Sequence, residues 1–481
     1  LEYYPNSTKS DKATPAYQLW AVYTDQTKAK ASNYSVYWNG ATAFDGEIGV
    51  GFDAGDTSGN KITYTGGQSV IIRTNGGTLT VDAPSGHVEH YGLAKAVTVE
   101  KISGTTYVEH GTVATLTVKA GAERVVIKST AVVVELAHES GATVSIETNG
   151  YVGKKTGNGT VSGTVGGDTI KVSTFDQLQG LALASTIGAD VNGKTIELQN
   201  DIDASGRTWI PFGWKNENAF TGTIDGKGHK ITGLSSDGYS NAEQYKNAGG
   251  SQGAPYARIA YAKWDVTVKD LTLDVNFVQK DSQKLFTAGV LSSYDFREIR
   301  EEHSEGYKVL ISNCTVNGTI SGIDNVGGIM GANYINNCDG AQFATVDFKI
   351  ENCVNNATLK SENRIGGIVG KVSTNEEGYR HSTGVVRKAV SFEIENCRNA
   401  AMSIETTHKD YGVGGIIGYL TNSSKNALTK ITNCTSETTD MKASAAGKCG
   451  KILYVGGADN MIKYNNAEKL CSANTAYNDF Q

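Results

Sequence analysis

The chain has 481 residues, a formal charge of −6 from 44 basic and 50 acidic residues, 57 Gly and only 5 Pro. Gly is about 12 % of the chain against a usual ~7 %, without the every-third spacing of collagen, and the few Pro and dispersed charge argue against a disordered chain. The even charge leaves no basic stripe to displace counterions from a nucleic acid, and the longest apolar run, Ala131–Ala137, is interrupted by Glu135 and too short to span a bilayer. The chain opens Leu1-Glu2-Tyr3, without Met, consistent with a removed leader or a fragment of a longer protein. Asn-x-Ser/Thr sequons at Asn6, Asn158, Asn317 and Asn356 are expected by chance in so Asn- and Thr-rich a sequence.

Residues 1–60 are rich in Tyr and Trp with Asn-Gly and Asp-Gly turn signals, and read as a small β-containing cap. From 61 to 170 short β-type runs recur about every nine residues, among them Thr78–Val81, Val97–Glu100, Thr115–Val118 and Thr143–Glu147. Three such runs would close a triangular coil of about 27 residues, which makes a solenoid the first expectation and a sandwich the second. Val88-Glu89-His90 and Val108-Glu109-His110 stand 20 residues apart, with His138-Glu139 further on. Stacked imidazoles and carboxylates could hold a metal, but strand alternation favours solvated outward positions, so no metal is expected.

Near residue 174 Ser173-Thr174-Phe175-Asp176-Gln177 caps a helix carrying Leu178, Leu181 and Leu183, expected to run to about 186 and to open a third region, 171–481. An acidic turn follows at Asp201-Ile202-Asp203, then Trp209-Ile210-Pro211-Phe212-Gly213, then Gly222-Thr223-Ile224-Asp225-Gly226-Lys227-Gly228-His229.

All seven Cys lie beyond residue 313. Four close an Ile-x-Asn-Cys pattern, at Ile311–Cys314, Ile350–Cys353, Ile394–Cys397 and Ile431–Cys434, and a shorter copy ends at Cys338. A second motif follows the full copies: Val326-Gly327-Gly328-Ile329-Met330-Gly331, Ile365–Gly370, Val413–Gly418 and a frayed Val455-Gly456-Gly457. The Asn-Cys pairs are 39, 44 and 37 residues apart. Self-similarity at this period signals stacked repeats, and the short runs between Gly and Asn carry no helical stripe. We expect a parallel β-solenoid in which Asn takes the left-handed turn and bonds its equivalents, Cys fills an interior column as a thiol rather than a disulfide, and Gly-Gly supplies positive φ at a corner.

The Ile-x-Asn-Cys and Gly-Gly copies over about 310–460 resemble the GLUG-type repeats of bacterial surface and secreted proteins, including some immunoglobulin A peptidases. The order of elements from the helix to His229 is similar to the opening of bacterial surface β-helices. Arg73–Leu79 and His90-Tyr91-Gly92 look like the N-terminal parts of the same proteins. The resemblance implies an all-β, right-handed parallel β-helix with a capping helix, located outside the cell or on its surface.

Parallel β-helices also host polysaccharide-cleaving enzymes. The nearest catalytic candidates are Asp201 with Asp203, and Asp225 with His229, although turn duty explains each as well. The chain holds no Asp-Asp pair, and no Gly-x-Ser-x-Gly, His-Glu-x-x-His or phosphate loop is present. The expectation is therefore an adhesin-like binding protein without cofactor, recognising a glycan or protein of a host or its surroundings. The alternatives are a β-helix lyase or glycoside hydrolase, and a surface protein that self-associates through solenoid ends. Aromatic faces on Trp209, Trp214 and Trp264, and the insertions Gly238–Pro255 and Asp295–Tyr307, are candidate recognition elements, with Tyr239, Tyr245, Tyr256 and Trp264 as named candidates.

Overall fold

The computed structural model describes residues 33–37, 47–50, 61–65, 70–75, 78–139, 141–184, 191–206, 209, 211–213, 220–236, 259–278, 287–292, 307–332, 346–373, 390–408, 411–421, 428–444, 449–455, 460–465, 467–471 and 476–477. The described residues form 42 strands and one helix, and no helix among them is long and apolar enough to cross a membrane, which says nothing of strands. The chain divides into two compact units, residues 1–191 with 243–247, and 192–242 with 248–481.

The first unit is a parallel solenoid. Strands alternate inward Val, Leu and Ile with outward Thr, Lys and Glu, as in Thr78–Ala83 and Arg124–Ile127. One row stacks Ala96, Thr115, Glu135 and Lys154 in register, and a second stacks Glu89, Val108, Val126 and Ser145. A coil therefore takes 18–20 residues, not the expected value of about 27. The strand spacing was right, but the length of a coil depends on the corners. Strand Val88–Ile102 turns at Gly92, where φ is 91°, and its two arms enter the two rows. Small inner residues such as Ala94, Val97, Val125 and Val144 then share one core. Strands Asn33–Tyr37 and Glu47–Val50 join the same rows, so the described part of the expected N-terminal cap extends the solenoid.

Helix α1, Phe175–Ala184, starts on a capping box: Thr174 Oγ1 accepts from the Gln177 N–H at 3.2 Å, while Gln177 Oε1 accepts from the Ser173 and Thr174 N–H groups. It groups with the first unit rather than with 171–481, because Gln177 Nε2 donates to the Thr130 carbonyl at 2.6 Å and Gly180 lies against Thr112.

The second unit is also a parallel solenoid, with longer coils. Val266, Val309, Phe348, Phe392, Thr429 and Ile462 stack in register, at 33–44 residues per coil. A full coil holds five short strands: Val346–Glu351, Val354–Asn355, Thr358–Ser361, Ile365–Gly366 and Val369–Ser373. Interior columns hold like residues, among them Ile311, Ile350, Ile394 and Ile431, and Phe348 stacks on Phe392 at 5.5 Å. The last described coil pairs antiparallel, Asn460–Tyr464 with Ala467–Cys471 and Leu453–Tyr454 with Ala476–Tyr477.

In the four described copies the Asn before Cys takes the expected left-handed turn, with φ of 52–53° at Asn313, Asn352, Asn396 and Asn433. Asn313 donates to Asp270 at 2.8 Å and Asn433 to Asn396 at 3.2 Å. A second ladder, buried inside the coils, was not foreseen. Asn355 Nδ2 donates to Asn399 Oδ1 at 3.0 Å, and Asn399 Nδ2 donates to Ser436 and Thr438 at 3.1 and 2.9 Å.

That inner ladder explains the Gly-Gly motifs. None of Gly327, Gly328, Gly366, Gly367, Gly414 or Gly415 has positive φ, contrary to the expectation of a left-handed corner. They are needed for close approach. A Cβ on the first Gly of each pair would fall within 1.7–2.1 Å of the carbonyl three residues on, and one on Gly328 or Gly367 would fall 2.3 Å from Asn355 or Asn399. Replacing Asn399 by Ala strands the partners of four hydrogen bonds in a dry interior, so Asn399→Ala is expected to lower stability by about 3 kcal/mol. A urea transition of the second unit that does not move would refute the ladder's importance.

Candidate functional site

The four carboxylate and imidazole candidates are occupied by turns. His229 Nδ1 stands 3.3 Å from Asp201 Oδ1, which also accepts from the Lys230 N–H at 3.1 Å. Asp203 Oδ1 accepts from Ser205 N–H at 2.9 Å, and both acids are exposed on either side of buried Ile202. Asp225 is buried, accepts from Lys227 N–H at 2.9 Å and pairs with Lys269 Nζ at 2.8 Å. The Lys230 N–H holds the Asp201 carboxyl below its ordinary value, and the bonds to Ser205 do the same for Asp203. A glycosidase acid needs the opposite shift.

The aromatic candidates divide. Trp209 is fully buried, tilted against Phe212 at 5.9 Å, and offers no surface. Trp214, Tyr239, Tyr245, Tyr256, Gly238–Pro255 and most of Asp295–Tyr307 lie outside the described residues, and for Trp264 only the backbone, within Ala260–Val278, is described.

His90 and Glu109 are not solvated. They are fully buried, with His90 Nδ1 at 2.7 and 2.9 Å from the two carboxylate oxygens. Tyr107 Oη and the Gly111 N–H also donate to Glu109, at 2.6 and 2.7 Å. The alternation is real, but its phase puts His90 on the core side with Val88, leaving Glu89 and His110 outside at 3.4 Å from each other. No group of three metal-ligating side chains occurs among the described residues. The network is structural. Glu109→Ala leaves three donors unmatched, with an expected loss of about 3–5 kcal/mol in the unfolding of the first unit; an unchanged thermal midpoint would contradict it.

Cys314, Cys353, Cys397 and Cys434 are free thiols in one buried column. Each sulfur lies 3.2–3.3 Å from the carbonyl two residues back and 3.6–3.7 Å from a carbonyl of the preceding coil. Burial pushes the Cys353 thiol well up. Contact with the neighbouring thiol does the same first for Cys397, against Cys353, and for Cys434, against Cys397. A thiol held neutral is a poor nucleophile. Iodoacetamide on the native protein at pH 8 is expected to spare these four and to label them only after unfolding, as read by peptide mass spectrometry. Native labelling of Cys353 would contradict the column.

One corner of the second unit gathers reactive side chains that the motif itself conceals. The residues on either side of each Gly-Gly motif, seven apart, are Asn325 and Ala332, Arg364 and Lys371, and Gly412 and Tyr419. Strand register places Lys371 level with Ala332 and Tyr419, while Asp324, Arg364 and Tyr411 enter from the opposite arm, just before the paired strands Val326–Gly327, Ile365–Gly366 and Val413–Gly414. Arg364 joins the two sides. Its Nη1 donates to Asp324 Oδ2 at 2.7 Å and its Nη2 to Tyr411 Oη at 2.9 Å, and the guanidinium lies 4.3 and 4.8 Å from the Tyr411 and Tyr419 rings. Such cation–π contacts hold the guanidinium plane by about 1–2 kcal/mol each when partly desolvated. Tyr411 meets Tyr419 edge-on at 5.8 Å, His408 stands 4.7 Å from Tyr411, and Tyr454 lies 6.5 Å from Tyr419.

Burial, aided by the adjacent Arg364 charge and opposed by Asp324, lowers the Lys371 ammonium to about 8. Burial pushes the Asp324 carboxyl up against the pull of Arg364, and raises the Tyr419 phenol. No contiguous motif marks this corner; its sequence signal is in the changing residues at fixed offsets from a constant motif.

No protein-family model matches the chain, and no curated protein matches it significantly. Among solved structures the chain is similar to a Bacteroides ovatus protein described as a "putative immunoglobulin A1 protease", at 17% identity and a TM-score of 0.42, over 64% of this chain and 80% of that one. A likeness of that degree carries no argument about activity.

Proposed function

We propose that the chain is an adhesin-like, non-catalytic binding protein, built on right-handed coils of the GLUG type and working outside the cell or at its surface, where it holds a glycan or protein ligand. The observation that carries this reading is the corner of the second unit. A constant Gly-Gly turn repeats from coil to coil, and its flanks present Arg364, Lys371, Tyr411 and Tyr419 together. Part-exposed aromatic rings beside fixed cations are the composition of binding surfaces.

Two observations weigh against the alternatives. The candidate acids Asp201 and Asp203 are held ionised by turn hydrogen bonds, which suits a β-turn and not a proton donor. The last described coil is closed by antiparallel strands, and such a covered edge disfavours end-to-end growth by strand addition.

The test is an array of glycans and proteins, run beside assays for new reducing ends and unsaturated products on uronic-acid polymers. Binding without product, weakened about tenfold or more by Tyr419→Ala at an unchanged thermal midpoint, is the expected result. Product formation abolished by Asp201→Asn or Asp225→Asn would overturn the reading.

A further inference from the structure

The Gly-Gly turn does not itself call for an arginine. The two neighbouring coils place Asn325 and Gly412 where the middle one has Arg364, just before the paired strands Val326–Gly327, Ile365–Gly366 and Val413–Gly414. Arg364 also carries a cost, since its Nε is buried without a hydrogen-bond partner among the described residues. What it gains is contact with side chains of both neighbouring coils. Asp324 of one takes Nη1 at 2.7 Å, and Tyr411 of the other takes Nη2 at 2.9 Å. The guanidinium lies over the Tyr411 ring at 4.3 Å and over the Tyr419 ring at 4.8 Å. One face of each ring is thereby covered, the two rings stand edge-on at 5.8 Å, and both side chains remain part-exposed. The Tyr411 oxygen accepts from Arg364, and its own hydroxyl proton meets no acceptor among the described residues.

We propose, resting on the binding reading above, that Arg364 is the positioning residue of a saccharide site: it fixes Tyr411 and Tyr419 as a two-ring corner on which a sugar packs by its C–H face, while the Tyr411 hydroxyl donates to an oxygen of that sugar. A pyranose carries both parts side by side, an apolar face and oxygen acceptors at its rim, and an aromatic ring with a polar tip answers both. An aliphatic side chain of a protein partner brings the first part without the second. A Lys or Arg side chain brings a cation to rings that already hold one, so the corner selects against basic peptides.

The choice of arginine follows from its shape. A planar fork can bond Asp324 and Tyr411 at its edge and lie over two rings with its plane, whereas an ammonium on a flexible stem is a point charge that cannot do both. Asp324 belongs to the same device, because the carboxylate fixes the fork that fixes the rings. Rings held in place before the sugar arrives are spared the ordering cost of free side chains, worth roughly threefold to tenfold in affinity for each.

The experiment uses the full chain on an array with three arms, neutral glycans, acidic glycans and basic peptides, followed by calorimetric titration of the glycan that binds best. Wild type is compared with Tyr411→Phe, which removes only the hydroxyl, and with Arg364→Lys, which keeps the charge and loses the fork. The tyrosine ultraviolet difference spectrum on adding that glycan reads whether the rings meet it. Glycan binding without peptide binding supports the proposal when it is about fivefold or more weaker in Tyr411→Phe and about tenfold or more weaker in Arg364→Lys, with the difference spectrum lost in Arg364→Lys. Glycan affinity equal in wild type and Tyr411→Phe overturns it, and so does an Arg364→Lys variant that loses thermal stability but neither affinity nor spectrum; the binding reading survives both. Capture of the basic peptides alone overturns the saccharide class and leaves that reading in place. Silence on all three arms overturns both, and turnover of a glycan overturns the binding reading and the proposal with it.

Discussion

A parallel solenoid must set each residue directly over its equivalent in the next coil, because every strand N–H of one coil needs a carbonyl of the next. Any position that suits one coil badly is repeated as a misfit along the stack. Polar residues can enter the interior only where a neighbouring coil or the local backbone completes their hydrogen bonds. Asn355 and Asn399 do this, each donating upward and accepting from a backbone N–H two residues on. The second Gly of the turn then follows as a requirement of the ladder, since an Asn side chain fills the space its Cβ would take, and the first follows from the carbonyl three residues on.

The two units meet the same constraint with different means. The first closes a short coil with aliphatic residues of modest size, and among its described residues the buried polar groups include His90 with Glu109, Tyr107 and the Gly111 amide, and His138 against the Ala142 and Thr160 carbonyls. The second closes a longer coil with five short strands and relies on columns of like residues. It has room for corners that carry side chains unrelated to the fold. Where the first unit spends a buried imidazole–carboxyl contact on packing, the second places the Arg364–Asp324 ion pair at a partly exposed edge.

Much of the second unit was legible because its repeats are written in full. Asn313, Asn352, Asn396 and Asn433 stand before Cys in every copy, and turn geometry follows from that residue and that place. The corners were less legible. Gly367 looks the same whether it serves a positive φ or a close approach, and only the position of Asn399 decides. Period-2 alternation told that His90 and Glu89 face opposite ways but not which faced inward, since phase depends on where Gly92 bends the strand. Arg364 and Lys371 escape for a different reason: a site assembled from three coils and two arms of a turn has no contiguous signature, and the repeat that builds it draws attention to its constant residues.

The thiol column has a consequence for where such a chain can fold. Four cysteines that stack at coil spacing, buried and hydrogen-bonded to carbonyls, need no oxidant to complete the fold and are shielded from one within it. Their contribution to the core is the same on either side of a redox boundary. For these four positions, the folded state is indifferent to whether the chain matures in a reducing compartment or an oxidising one, and it requires no disulfide catalyst on the way.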